Sequence, residues 1–481
     1  MLRYRRFQVL PALLLLFIAI LPAQAGPRVQ SAAYQVFLPM MIIPSAASPF
    51  GFDVRSNASD TALQYAQDAR AKWARAGDVV WADIEPVRGG GYHWEALAAV
   101  DQNIRRLQAA GIEPTLVIMR SPTWAQRVPG RLCSPPKPEY IADFARFTQA
   151  LAARYAGSVN YWEIWNEPDV APSDTTDNTG MGCWIDPSLP YYGGSYYGEV
   201  VKQVAPAIKA ANPNARVIAG ALLYDWPDDS KPRAFLEGLL ASGAGPMFDM
   251  LSFHAYGEWG AGDLLVNKTL RIREVLNSYG MAKKPLIATE IAATCRSAML
   301  TSCLPDFDTW KKRQANYAAR IYAEAIALNL AGAFWFTLVS QSPGFNYSQL
   351  IDDQNGTLAP RESYYAFMNS AKLLQSARYI GPPMNVLPPN QLEQVQTLTF
   401  SKPYSPYFGN MPSTLYVLWV PKIDMPSGSY ALYVTPGATA VCTQRVDFQE
   451  LNQYYCSDTN KDGIIWLAIN SFPQYVDVRD S

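Results

Sequence analysis

Histidine is scarce in this chain, with only two among 481 residues. Two histidines are too few for a His-rich metal site, so neither a metal nor another cofactor is expected. Neither sign of charge is in excess, because 40 basic side chains meet 41 acidic ones and the net charge is −1. That balance excludes the basic footprint of a nucleic-acid-binding protein. Charged residues make up 17% and apolar residues 49%, which excludes a disordered chain and predicts a large core.

Aromatic residues are abundant by contrast, with 13 Trp and 28 Tyr. Such an excess fits either a large core or a surface on which flat apolar faces stack. Composition alone leaves both interpretations open.

The first 25 residues have the three parts of a secretory signal peptide. Three arginines precede the apolar run Val9 to Leu21, and Ala23-Gln24-Ala25 forms a small-x-small cleavage site. A transmembrane anchor is the alternative, but this run is short for a hydrocarbon core of about 30 Å. We therefore expect a cleaved signal over 1–25, a linker over 26–48, secretion, and no membrane association after cleavage.

The six cysteines are an even number, and export permits disulfides. Sequence alone does not fix their connectivity. Order and local spacing favour Cys133–Cys183, Cys295–Cys303 and Cys442–Cys456, and free buried thiols are the alternative.

Short apolar or β-branched runs alternate with longer amphipathic segments over residues 49–377. This alternation predicts parallel strands with helices on both faces. Eight repeats favour a closed (β/α)₈ TIM barrel over an open sheet, and the absence of G-x-G-x-x-G after the first run disfavours a dinucleotide-binding fold. The first predicted helix covers Asp60–Arg75. The predicted strands are Phe50 to Val54, Asp78 to Ile84, Pro114 to Met119, Val159 to Ile164, Arg216 to Ala221, Met250 to His254, Pro285 to Thr289 and Gly332 to Leu338.

Residues 378–481 lose the helical period and show proline pairs and short alternating strands. They predict a small all-β, sandwich-like C-terminal domain. Two roles are open for it. The favoured one is packing against the barrel, and the other is a separate carbohydrate-binding module with Trp419 and Trp466 as platforms.

Two carboxylates close predicted strands of the barrel. Glu167 follows the fourth strand and Glu290 the seventh, each after a nearly unbroken apolar run. Catalytic residues of such barrels lie at the C-terminal ends of the strands. A structural ion pair at the rim is one interpretation. The other is a pair facing one cleft, since two carboxyl groups about 5–5.5 Å apart are the geometry of double-displacement glycoside hydrolysis.

Other polar and aromatic residues at the strand ends favour the catalytic interpretation. Asn166 is suited to bind a sugar hydroxyl next to the scissile bond. Tyr256 and His254 share one side of the sixth strand. Trp335 offers an apolar floor for a pyranose ring, and Trp124 is a further stacking candidate, with a core role as the alternative for both.

Several stretches resemble, in chain order, the motifs of clan A retaining glycoside hydrolases. The most specific is Y-W-E-I-W-N-E-P at residues 161–168, which resembles the W-N-E-P signature of that clan. The others are W-A-D-I-E-P with G-Y-H-W within 81–94, P-T-W-A at 122–125, H-A-Y at 254–256, the nucleophile segment 286–290, and L-I-D-D-Q-N-G-T at 350–357. The resemblance covers about residues 50–375. It is closest to the family 39 and family 5 types, which include β-xylosidases and other β-glycanases.

The resemblance implies roles for individual residues. Glu167 would be the acid/base and Glu290 the nucleophile, while Asn166, His254, Tyr256 and Trp335 would line the sugar subsite at the cleavage point. Many clan members carry an arginine near the nucleophile. Arg55 and Arg120 are the candidates here, and a salt bridge within the barrel explains either equally well.

The sequence therefore predicts a secreted retaining glycoside hydrolase acting on β-linked oligo- or polysaccharides without a cofactor. The alternatives are a non-catalytic carbohydrate-binding barrel and a transglycosylase that uses the same two glutamates. The sugar, its linkage, exo or endo action and the oligomeric state stay open.

Overall fold

The computed structural model describes residues 48–54, 59–170, 183–223, 230–257, 264–295, 306–341, 347–385, 391–422 and 426–480. The predicted signal peptide and all of the predicted linker except Ser48 lie outside these residues. Within the described ranges, no helix combines the length and the apolar character needed to cross a membrane.

Eight parallel strands close into a barrel in which each strand pairs with its neighbours in chain order. Closure joins β1 to β8, with Phe50 opposite Ala333. The predicted TIM barrel is therefore confirmed. Its strands are β1 (Phe50–Asp53), β2 (Trp73–Val80), β3 (Glu113–Met119), β4 (Tyr161–Ile164), β5 (Arg216–Leu222), β6 (Met250–Gly257), β7 (Leu286–Ala293) and β8 (Gly332–Trp335).

Helices surround the barrel, and several of their ends carry the capping residues that the sequence shows. Ser59 caps the first of them by accepting a hydrogen bond from the Ala62 amide at 3.1 Å. Gly111 and Gly280 follow two others with positive φ of 70° and 72°, a conformation that favours glycine. The helices are α1 (Asp60–Asp68), α2 (Trp81–Ile84), α3 (Ala98–Ala109), α4 (Ile141–Arg154), α5 (Gly194–Ala211), α6 (Ser230–Ala241), α7 (Leu264–Ser278), α8 (Phe307–Ala327) and α9 (Glu362–Leu373).

The second strand lies earlier in the chain than predicted. Helix α1 ends at Asp68 instead of Arg75, and β2 begins at Trp73 and pairs with β1, with Asp53 opposite Arg75. The stretch Trp81–Ile84, predicted as strand, is the short helix α2. Arg70 has a positive φ of 55° and breaks the helical path, so the apolar residues after it enter the sheet. This shift brings Arg75 into the barrel wall.

An apolar layer fills the interior of the barrel. Trp73, Ile218, Ile287 and Phe334 form one buried cluster, and a Cβ on Gly51 would lie 2.4 Å from the Phe334 ring. Glycine at position 51 therefore gives Phe334 its space.

The loop after β8 contributes a three-stranded sheet of β9 (Val339–Gln341), β10 (Ile351–Gln354) and β11 (Thr357–Pro360). The remaining strands form the C-terminal β region, with a six-stranded sheet ordered β12-β13-β14-β19-β16-β17 and a two-stranded sheet of β15 and β18. They are β12 (Arg378–Tyr379), β13 (Gln396–Ser405), β14 (Met411–Trp419), β15 (Gly428–Tyr433), β16 (Thr439–Arg445), β17 (Asn452–Tyr455), β18 (Ile464–Ile469) and β19 (Gln474–Arg479).

The C-terminal β region packs on helices α8 and α9 of the barrel. The Tyr475 hydroxyl donates to the Ala319 carbonyl at 2.5 Å, and the Asn369 amide donates to the Val446 carbonyl at 2.9 Å. Trp419 is only 3% exposed and belongs to the same buried cluster as the barrel helices. This is the packing role favoured by the sequence, and it removes Trp419 as a binding platform, whereas Trp466 is 64% exposed.

Two of the three predicted disulfides are present. Cys133 bonds to Cys183 and Cys442 to Cys456. The third pairing, of Cys295 with Cys303, involves a residue outside the described ranges.

Candidate active site

Five polar side chains from three strands and one turn meet at the C-terminal end of the barrel. They are Arg75 from β2, Glu167 from the turn after β4, His254 and Tyr256 from β6, and Glu290 from β7. Each is at most 5% exposed. The structure thus brings together the two predicted glutamates and the predicted H-x-Y pair, and it adds an arginine.

Glu167 lies in a turn with an unusual backbone. Trp165 and Glu167 both have positive φ, 76° and 45°, on either side of Asn166. Residues other than glycine take this region at an energetic cost, so surrounding contacts must hold it. The Trp165 amide donates to the Ile118 carbonyl and the Glu167 amide to the Ala221 carbonyl, both at 2.8 Å. These bonds fasten the turn to the strands on both sides.

Glu290 lies inside a strand and is held by donors. The Tyr256 hydroxyl donates to its Oε2 atom and the Arg75 guanidinium to its Oε1 atom. The pairing of β7 with β6 shifts between Phe253 and His254, and its pairing with β8 shifts between Ala288 and Ile291. Glu290, which lies opposite His254, is therefore at a local irregularity of the sheet. Such irregularities re-aim side chains, and here both carboxylate oxygens face donors.

His254 lies between the two glutamates. Its Nδ1 atom is 2.7 Å from Glu167 Oε1 and 3.6 Å from Glu290 Oε2. One carboxylate oxygen of Glu167 and one of Glu290 lie within 4.8 Å of each other. Burial lowers the pKa of His254 to about 4, so the imidazole is neutral near pH 7. A neutral imidazole holds a single ring proton, so Nδ1 either donates to Glu167 or accepts a proton from it.

Arg75 contacts three acidic residues of the site. Its Nε atom donates to Glu163 at 3.0 Å and its Nη2 atom to the Asn166 side-chain oxygen at 2.8 Å, while Asp53 lies 3.8 Å from Nη1. Burial opposes the charged guanidinium, but the combined charges of Glu163, Glu290 and Asp53 outweigh it and raise the pKa of Arg75. Arg75 therefore stays charged and ties the acid-bearing turn to the β7 carboxylate.

The pKa of Glu290 is raised to about 7, mainly because the carboxyl group is buried. A positive charge on His254 and the Arg75 charge oppose this shift, whereas Glu167 and Asp53 add to it. The Glu290 carboxyl group therefore loses its proton only near neutral pH. The donors Arg75 and Tyr256 favour its ionised form.

An arginine that was not named from the sequence, Arg75, donates to the nucleophile candidate Glu290. Of the two candidates that were named, Arg55 lies outside the described residues and Arg120 stays a prediction. The available signal was an arginine among the apolar residues of W-A-R-A at 73–76, a pattern that fits a buried strand better than a helix end. Glu163, buried in β4, was missed as well. It accepts from Arg75 and, at 2.8 Å, from the Thr289 hydroxyl.

The aromatic residues fall differently from the prediction. Trp335 is fully buried, packs on Tyr317 of α8 and donates to the Ser348 carbonyl at 2.8 Å. It therefore faces the helix layer instead of the cleft, since neighbouring residues of a strand point to opposite faces. Phe336, the next residue, lies with its ring centroid 5.9 Å from that of Tyr256 and takes the position expected of Trp335.

Trp124 is half-buried on the loop after β3. Its indole donates to the Glu85 carbonyl at 3.0 Å, and its ring packs edge-on against Trp81 and Tyr140. Through Trp81 and Phe144 this group continues to Trp165 of the β4 turn. A stacking role for Trp124 stays a prediction.

Glu167, His254 and Glu290 also form the one group among the described residues whose ligand atoms lie close enough together to hold a metal ion. Arg75 donates to one of these carboxylates and would lie beside the cation. That positive charge disfavours a metal and favours proton transfer between the groups.

Comparison with solved structures identifies the fold. A family 39 glycoside hydrolase from the gut symbiont Bacteroides cellulosilyticus aligns with a TM-score of 0.63 and 17% identity, over 90% of this chain and 81% of that one. A family 30 endoxylanase from Clostridium papyrosolvens aligns with a TM-score of 0.57 and 12% identity, over 90% and 96%. A family 51 α-L-arabinofuranosidase from Bifidobacterium longum gives 0.55 and 13% over the same shares.

No protein-family model and no curated protein sequence matches the chain. At these identities the likeness concerns the fold, and nearly the whole chain takes part in it. The barrel with its C-terminal β region is thus the architecture of glycoside hydrolases of families 39, 30 and 51.

Proposed function

We propose that the chain is a secreted retaining glycoside hydrolase that cleaves the O-glycosidic bonds of β-linked oligo- or polysaccharides. The observation that carries this proposal is the pair Glu167 and Glu290. Their carboxylate oxygens approach within 4.8 Å, and different donors hold each of them. This spacing fits a retaining mechanism, in which one carboxyl group attacks directly. An inverting mechanism needs a wider gap that holds a water molecule.

In the first step Glu290 attacks the anomeric carbon while Glu167 protonates the departing oxygen. The glycosidic C–O bond breaks as the Glu290 ester bond forms, and the leaving group takes the proton of Glu167. Arg75 and Tyr256 keep Glu290 ionised before the attack, and both donors favour the carboxylate over the acid. Asn166, whose side-chain oxygen is occupied by Arg75, has its amide group left to donate to a sugar hydroxyl.

In the second step water replaces the enzyme at the anomeric carbon. Once Glu290 is an ester it carries no charge, so the pKa of Glu167 falls and its carboxylate accepts a proton from water. The hydroxide equivalent attacks, the ester bond breaks, and Glu290 returns as a carboxylate. Two displacements at one carbon retain its configuration. No step requires a metal or an organic cofactor.

The sugar subsite would lie above the glutamates, against Phe336 and Tyr256. Export is supported by the signal-like N-terminus and by the two disulfides. The names of the compared structures include a xylanase and an arabinofuranosidase. A substrate panel should therefore contain aryl xylosides and arabinofuranosides beside glucosides.

The test is hydrolysis of such a panel by the purified protein, with proton NMR of the first-formed sugar anomer. Release of aryl alcohol with retained configuration, unaffected by EDTA, is expected. Inversion would overturn the two-step scheme. Absence of hydrolysis, with binding of the same sugars in calorimetry, would favour the non-catalytic carbohydrate-binding alternative. A product with a second sugar attached at high acceptor concentration would indicate transglycosylation.

A further inference from the structure

The loop after β4 carries a tryptophan that lies beneath the proposed acid/base. Trp184 follows Cys183, which is bonded to Cys133 of the loop after β3. Two residues further on, Asp186 pairs with Arg127 of that same loop. The chain on either side of Trp184 is therefore fastened to a neighbouring loop.

The Trp184 ring is wedged between the β4 turn and helix α5. It is fully buried and meets Trp165 edge-on at 5.0 Å between ring centroids, and Tyr197 edge-on at 5.1 Å. Tyr197 in turn donates to the Ile164 carbonyl at 2.6 Å and accepts from the Gly220 amide at 2.9 Å. Trp184 thus links the residue before the turn to a helix that is itself bonded to β4 and β5.

Within the described residues, the indole nitrogens of Trp165 and Trp184 have no hydrogen-bond partner. Packing against neighbouring side chains therefore fixes the orientation of these two rings. The turn that they support has positive φ at both Trp165 and Glu167, so relaxation is favourable wherever space allows it. Removing the Trp184 ring would create that space directly under Trp165.

From this geometry we infer that Trp184 is a positioning residue for Glu167. It keeps the turn in the conformation that aims the acid at the departing oxygen. The inference rests on the proposed function and deepens it. Glu290 does not rely on the turn alone, because Tyr256 and Arg75 hold it on strand β7 and Arg75 is itself held by Glu163 of β4. Loss of Trp184 should therefore impair proton transfer and leave nucleophilic attack largely intact.

Leaving-group dependence separates these two effects. A phenyl glycoside needs protonation as its C–O bond breaks, whereas a dinitrophenyl glycoside departs without it, and kcat/KM reports that first step. Trp184→Leu is expected to lower kcat/KM for the phenyl glycoside about 10- to 100-fold, within the range of general acid catalysis. For the dinitrophenyl glycoside of the same sugar the loss should stay under about threefold, given that attack by Glu290 is preserved. Trp184→Phe, which keeps a ring against Trp165, should restore most of the phenyl rate.

Trp162→Leu is the matched control. Trp162 lies on β4, the strand that leads into the turn, is as buried as Trp184, and packs on Tyr155, away from the turn. Both leucine variants should lose thermal stability, but Trp162→Leu should keep the wild-type ratio of the two kcat/KM values. An equal loss on both substrates for Trp184→Leu, or a ratio like that of the control, would overturn the inference. Should Trp184→Leu not fold, Trp184→Met, which fills more of the space but has no ring, takes its place, and an unchanged ratio in that variant would overturn the inference. A wild-type protein that hydrolyses neither substrate would instead contradict the proposed function.

Discussion

The two glutamates of the site are held in different ways. Glu290 lies within strand β7, and charged or polar donors, Arg75 and Tyr256, meet both of its oxygens. Glu167 lies in a turn with positive φ that aromatic packing supports, and its partner is the neutral His254. Charged and polar donors thus hold Glu290, whereas the packing of aromatic rings holds the turn that carries Glu167. That division suits a nucleophile, which must stay ionised, and an acid/base, which must change its protonation in each step.

The largest expected effect is that of Glu290→Ala. Without the nucleophile no glycosyl ester forms, so turnover should fall on the order of 10⁴-fold or more for every leaving group. Added azide should restore part of the rate and give a glycosyl azide of inverted configuration, because a single displacement replaces two. Near-wild-type turnover, or a retained azide, would place the nucleophile elsewhere. Thermal unfolding of the variant checks that the fold is intact.

Glu167→Ala should have a smaller effect that depends on the leaving group. We expect kcat/KM for a phenyl glycoside to fall about 10²- to 10⁴-fold, the usual contribution of a general acid. The loss with a dinitrophenyl glycoside should be much smaller, since that group departs unprotonated. Azide should accelerate turnover and yield a product of retained configuration. An equal loss for both substrates would contradict the division of roles between the two glutamates.

The difference between these regions also explains what the sequence could and could not predict. The proximity of Glu167 and Glu290 could be predicted because each follows an apolar run of a βα repeat, and barrel topology brings the C-terminal parts of such runs together. The order of eight strands followed by a β region was recoverable on the same ground. Such patterns depend on residues near one another in the chain.

Arg75 was missed because the helical pattern of α1 was extended through Arg75, whereas the chain enters β2 at Trp73. The contacts of Arg75 lie 88 and 215 positions away in the sequence, at Glu163 and Glu290, so no local pattern reveals them. Phe336 was overlooked in favour of Trp335 for a related reason. Which of two adjacent aromatic residues faces the cleft depends on the strand register, and a one-residue shift reverses it.

Tyr256→Phe sharpens the account of Glu290. The hydroxyl donates to Glu290, and hydrogen bonds to charged groups contribute about 1.5–3 kcal/mol. We expect kcat/KM to fall roughly 10- to 100-fold on the phenyl and dinitrophenyl glycosides alike, because the defect lies in the nucleophile. A loss confined to the phenyl substrate would show that Tyr256 serves the acid/base instead.

The smallest expected change is a shift of the pH profile in Asp53→Asn. Burial raises the pKa of Glu290 to about 7, and the negative charge of Asp53 adds to that rise. Since only the carboxylate attacks, kcat/KM of the wild type should fall as the pH drops through about 7, whereas His254 stays neutral through that range.

Replacing Asp53 with asparagine removes a negative charge near Glu290. It also removes an acidic partner of Arg75, so the positive charge of Arg75 stabilises the Glu290 carboxylate more strongly. Both changes lower the pKa of Glu290, so the acidic limb should move to lower pH by up to about one unit. Glu85→Gln is the control, because Glu85 is an equally buried carboxyl group bonded to the Trp81 indole, and its limb should stay in place. An upward shift in Asp53→Asn, or an equal shift in the control, would show that another group sets the limb. In that case the charged neighbours of Glu290 would not control its ionisation, and this difference between Glu290 and Glu167 would not hold.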